Sequence, residues 1–130
     1  MSRSFRRLAA FVLVAAFAAG SAGCAAEYDH TDITGVRGGA LLGTLDRRGL
    51  RVSAGMVVTG HIVSYNDDDN IMTMNVRSTN PDILEVSNVI SDHDFAFIGL
   101  RPGAAEVEVL AGNKVVLIIS AMVVPQPTQP

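Results

Sequence analysis

Four oxygen-bearing side chains in a row, Asp67, Asp68, Asp69 and Asn70, form the densest set of hard-metal donors in the 130-residue chain. Calcium takes roughly six to eight such oxygens, so the run is a candidate for weak calcium binding. It lacks the Asp-x-Asp-x-Asp-Gly spacing and the distal glutamate of a calcium loop, and the plainer reading is a solvated acidic turn between two strands. A second group, Asp92, His93 and Asp94, mixes imidazole and carboxylate donors that suit zinc or another divalent ion, with His30 or His61 as a distant partner. Its plainer reading is a polar loop, and His61 sits inside an apolar strand. A metal-dependent hydrolase would require His61, His93 and the acidic loops to converge. No GxSxG elbow, P-loop, HExxH helix or helix-opening GxGxxG is present, and a Ser-His-Asp trio picked from scattered residues carries no weight without geometry. The expectation is a non-enzymatic protein with no catalytic residues and no resident cofactor beyond weak calcium.

The remaining reactive group is Cys24, the single cysteine of the chain. An unpaired thiol is unusual in an exported protein, and its position accounts for it. Arg3, Arg6 and Arg7 precede an uncharged apolar run from Leu8 to Ala19, and small residues follow from Gly20 to Gly23. Positive start, apolar centre and small-residue end are the layout of a secretory signal. The apolar run is shorter than the roughly 20 residues that cross a bilayer core. The uncharged stretch extends to Ala26, which leaves an uncleaved anchor as an alternative. The closing GSAGC resembles the lipobox of bacterial lipoproteins, with Ala22 and Gly23 before the cysteine and Ser21 where the pattern has an aliphatic residue. That resemblance implies cleavage after residue 23 and lipid attachment to Cys24; cleavage after Ala26 is the competing outcome. Ala25 after the cysteine points, by the same resemblance, to the outer membrane.

Charge narrows the partners. The net charge of −3 includes the three arginines of the export segment, so the rest of the chain carries seven basic against thirteen acidic residues, a net −6. Nucleic acid would select the opposite sign. The expected partners are a membrane, through the lipid, and another envelope protein or a polysaccharide.

These groups must be positioned by a small domain. Residues 24–39 hold EYDHTDITGVRGG, rich in Asp, Thr and Gly, and are expected to be a flexible tether with a reach of about 20 Å. From Ala40 to Val124 apolar residues recur with period two between turn residues, which predicts one all-β antiparallel sandwich. Met72, Met74 and Val76 alternate with Thr73, Asn75 and Arg77; Ala105, Val107 and Val109 alternate with Glu106 and Glu108. Gly112-Asn113 is a two-residue hairpin turn that pairs the last two strands. Val115 to Val124 is apolar on both faces apart from Ser120, which suits a strand covered on two sides or one whose outer face meets another element. As the terminal strand it is also a candidate exposed edge for a partner strand. The Pro-rich residues 125–130 end the domain.

Four segments, VSAGMVV, STNPDILEV, GLRPGAAEVEV and VVLIISAMVV, occur in an order that resembles the group 2 bacterial Ig-like domains, over Leu50 to Val124. The resemblance implies an Ig-like β-sandwich that acts as a spacer, adhesion or binding module and carries no shared catalytic residues. It also places Asn80-Pro81 and Pro102-Gly103 at turns before strands Ile83 to Val86 and Ala105 to Val109. Val76 stands where the family has a core tryptophan, so Met72, Met74 and Phe97 are expected to fill that space.

Overall fold

The structure, a computed structural model, describes residues 26–38, 43–88 and 91–127. The expected signal segment 1–23, the expected lipidation site Cys24 and the last three residues lie outside that set. The described residues form nine strands: β1 (Tyr28–Arg37), β2 (Gly43–Leu45), β3 (Gly49–Ser53), β4 (Val57–Asn66), β5 (Met74–Ser78), β6 (Leu84–Asn88), β7 (Asp94–Gly99), β8 (Gly103–Ala111) and β9 (Lys114–Val124). One sheet has the order β1-β4-β7-β6 and the other β2-β3-β9-β8-β5. The result is the all-β sandwich that the period-two pattern predicts.

Alternation builds the core. In β8, Ala105, Val107 and Val109 are buried while Glu106 is exposed. Phe95 and Phe97 of β7, Ile62 of β4, Leu84 of β6 and Ile119 of β9 are the largest fully buried side chains. Burying each contributes about 1.5–3 kcal/mol relative to exposure. Val76 and Phe97 are buried as expected, and Met74 packs against the same cluster. Met72 departs from the expectation: it is half-buried and lines a surface cleft, because the chain has left the β5–β8 ladder at that point.

Two close backbone features fix the strand ends. Gly112, at φ +61°, turns β8 into β9 with Ala111 opposite Lys114. Asn113 is outside the positive-φ set, the arrangement of a turn with glycine at its first central position. At Gly99 a Cβ would lie 2.7 Å from the Ser53 carbonyl oxygen, so a side chain there would push β7 off β3.

Three expectations are corrected. Residues 28–37 are not a tether but a ten-residue strand, paired antiparallel with β4 from Tyr28 opposite Asn66 to Arg37 opposite Thr59. Its anchor in the core is polar: Thr31 and Ser64 are both fully buried and their hydroxyls bond each other at 2.8 Å. The Tyr28 hydroxyl completes the chain at 3.0 Å from Thr31 Oγ1. Buried hydroxyls paired in this way satisfy each other.

The last strand is neither a sheet edge nor covered on both faces. β9 lies between β3 and β8, and its outward residues Val115, Ile118 and Met122 are 40%, 52% and 48% exposed. The terminal strand reaches an interior place because the long excursion from β3 to β9 allows the two to pair in parallel, Gly49 opposite Ser120 through Ser53 opposite Val124. The other ladders are antiparallel. Polar side chains interrupt the outward apolar residues: Glu108 stands opposite Ile118, Glu106 opposite Ser120, and Arg51 opposite Met122.

Candidate functional site

The polar side chains collect around β4, β7 and the loop before β7. His61 of β4 stands opposite Asp94, the first residue of β7, in the ladder. Its Nδ1–H donates to the Asp94 carboxylate oxygen Oδ1 at 2.9 Å. Ser91 Oγ donates to the other carboxylate oxygen at 2.7 Å. The Ser91 bond, followed by the His61 bond and charge, holds the Asp94 carboxyl below its ordinary value of 3.8. His93 lies edge-on to His61, ring centres 5.9 Å apart. Its carbonyl accepts from Ile62 N–H at 2.8 Å, which ties the loop to β4.

The structure therefore brings His61, His93 and Asp94 together, a part of the convergence that a metal-dependent hydrolase would require. The order of contacts differs from that of a nucleophilic triad: Ser91 donates to the Asp94 carboxylate and not to an imidazole. Among the described residues, no three His, Cys, Asp or Glu side chains group as a metal-binding set.

The acidic run forms the turn between β4 and the approach to β5. Asn66 Oδ1 accepts from the N–H groups of Asp68 and Asn70 at 3.0 and 2.9 Å, and Asn66 N–H donates to the Asn70 carbonyl. Asp69 adopts φ +60°, which an Asp tolerates better than most residues. The carboxylates of Asp67, Asp68 and Asp69 are exposed, and the side chain that shapes the turn is Asn66, which the sequence reading did not single out. Its signal is an Asn at the head of a polar run, the position where a side-chain oxygen caps following N–H groups. Asp67 N–H also donates to the Glu27 carbonyl at 2.9 Å, joining this turn to the start of β1.

His30, on β1, is separate from this group. Its ring stacks on Tyr65, centres 4.9 Å apart, and Nδ1 lies 2.6 Å from Asp29 Oδ2. His30 and Tyr65 are cross-strand partners, the arrangement in which side-chain pairs stabilise a sheet.

A cleft of about 440 Å³ lies beside the His61 group. Met72, Met74, Asn88, Asp92 and His93 are among its lining residues. The Nδ1 of His93 is buried and has no hydrogen-bond partner among the described residues.

An all-β sandwich of two sheets, with its polar cluster on a strand and a loop, is the class that the fold defines. The chain is similar to solved domains of the S-layer protein SbsC. It matches domains 4 and 5 at 18% identity and TM-score 0.54, covering 76% of this chain and 53% of that one. Against domains 1–6 the figures are 17% and 0.57, covering 79% and 14%. At this identity the likeness is one of fold, and the chain spans about half the length of the first structure. No family model and no curated protein matches the chain.

Proposed function

We propose that the chain is an exported, non-catalytic module of a bacterial cell envelope, fastened to a membrane by lipid on Cys24. The observation that carries this reading is the placement of the one cysteine: it follows Ala22-Gly23 at the end of an arginine-led apolar segment and stands four residues before β1. The fold supports the same reading, since a two-sheet sandwich is shared with domains of an S-layer protein. Multiple acyl chains, at about 0.8 kcal/mol per buried methylene, hold a protein stably at a bilayer where one does not.

The strand beginning at Tyr28 changes how such a module would sit. Only Ala25, Ala26 and Glu27 separate Cys24 from β1, a span of at most about 14 Å at 3.3–3.6 Å per residue. The sandwich is therefore held close to the bilayer, with the Asn66–Asn70 turn at the membrane end through its bond to Glu27. In this place it serves as a structural or binding module, resembling the group 2 Ig-like domains, for another envelope protein or a polysaccharide of the outer membrane.

The test is fractionation and acyl labelling of wild type and Cys24→Ser in cells. Labelled, membrane-bound wild type and an unlabelled, released, folded variant are expected. Equal membrane retention of the two proteins would sink the lipid anchor.

A further inference from the structure

The outward face of the five-stranded sheet is laid out in rows across β9. Arg51, Met122 and Ala104 form one row, and Gly49, Ser120 and Glu106 the next. Met122 and Ile118 are 48% and 52% exposed along the middle of the face, and Arg51, Ser120 and Glu106 are exposed around them. Charge divides this face along β9. On the β3 side stands Arg51 and, in the turn leading into β3, Arg47 and Arg48. Asp46 caps that turn, its carboxylate accepting from the N–H groups of Arg48 and Gly49. On the β8 side stand Glu106 and Glu108, the second held by Arg77 at 2.7 Å. A basic and an acidic half flanking an apolar line complement themselves under a two-fold rotation.

We propose that this face binds a second copy of the chain about a two-fold axis running along β9. Stacked sheets pack about 10 Å apart with their strands aligned to within about 30°. Because β3 and β8 flank β9, a rotation about β9 carries β3 of one copy over β8 of the other. Arg51 then lies over Ala104, and Gly49, which brings no side chain, lies over Glu106. Glu106 therefore faces the second copy between Arg51, about 7 Å along the strand, and Arg48 of the turn. Symmetry forms each of these contacts twice. An axis across the strands would set β3 over β3, arginine against arginine, and juxtaposed like charges are disfavoured. Five strands about 4.8 Å apart give a face about 20 Å wide, so the pair is at the small end of specific interfaces. Rotation along β9 also keeps the strand directions of both copies, so both present the Asn66–Asn70 end to one side. Two lipid anchors would then reach one bilayer, which concentrates the chains; this step alone rests on the anchor proposed above.

The test is cross-linking in cells that produce two differently tagged copies of the full-length chain. Ser120→Cys, close to the axis, is treated with a short bismaleimide, and Glu85→Cys, exposed on β6 of the other sheet, is the comparison. The chain without an added cysteine supplies the background from Cys24. Ser120→Cys is expected to give at least about tenfold more mixed-tag dimer than Glu85→Cys. With Ser120→Cys present, Arg51→Glu and Glu106→Arg each cut that yield about tenfold by facing like charges, and the two together restore it. Protease resistance checks that each variant is folded; if a charge variant is not, the Ser120→Cys and Glu85→Cys yields decide. Acyl labelling of the same cells reads the anchor separately, so a missing label overturns the anchor while the dimer yield still judges the pair. The pair is overturned if Ser120→Cys yields no more mixed-tag dimer than Glu85→Cys, or if its adduct contains a different protein. It is also overturned if the folded single reversals leave the yield unchanged, or if the folded double reversal fails to restore it.

Discussion

Single hydroxyls and carboxylates separate the roles of neighbouring residues in this sandwich. The Thr31–Ser64 bond at 2.8 Å is fully buried, so removing one partner leaves the other without its bond. Thr31→Val is expected to cost about 1–3 kcal/mol in urea unfolding, and the double change Thr31→Val/Ser64→Ala less than the sum of the two single changes. Asp94 gives a pH signature instead. Its carboxyl titrates below its ordinary value of 3.8 in the folded protein, chiefly through Ser91 and then His61. A depressed carboxyl stabilises the fold fully above its unfolded value and loses that contribution as pH falls through the folded one. The stability difference between wild type and Asp94→Asn should therefore be largest at neutral pH and shrink below 3.8. Both side chains are partly exposed, 42% each, so the difference is small and is read best at low salt.

At the scale of elements, the comparison of β1 with β8 explains what the sequence made legible. β8 alternates valine with glutamate, and its inward face could be read directly. β1 hides its pairing: its buried residue is a threonine, and register shifts near Tyr28/His30 and Thr34/Arg37 break the alternation. Tyr28, Thr31 and Ile33 are strand-favouring residues, but the Asp and Gly among them read as a linker. Deleting residues 28–37 would strip β4 of one ladder and leave Ser64 unpaired, so cooperative thermal unfolding should be lost; a tether would leave the melting curve unchanged. The Gly112 turn was legible because glycine and asparagine in a two-residue loop have a specific backbone use. Gly112→Ala meets no atom within 4 Å and is strained by φ +61° alone, for an expected loss of about 1–2 kcal/mol in urea unfolding. The interior place of β9 was not legible, since an apolar run does not reveal which distant strand will pair with it. The convergence of His61 and His93 was likewise hidden, because the β4–β7 register that creates it is a long-range property.

At the scale of the whole molecule, the proposed membrane-held module rests on a net −6 after residue 23, a two-sheet core and a cysteine four residues before the first strand. The outward face of the five-stranded sheet mixes Ile118 and Met122 with Glu106, Glu108, Arg51 and Arg77. Such an interrupted face suits a structural or polar contact better than a large apolar interface. The central claim is that the polypeptide begins, once processed, at a lipid-bearing Cys24. Intact-mass and N-terminal peptide analysis of the protein purified from cell membranes tests it directly. The account predicts a first residue of Cys24 carrying a diacylglyceryl thioether; a mature chain beginning at Glu27, or one retaining Met1 and the apolar run, would contradict it.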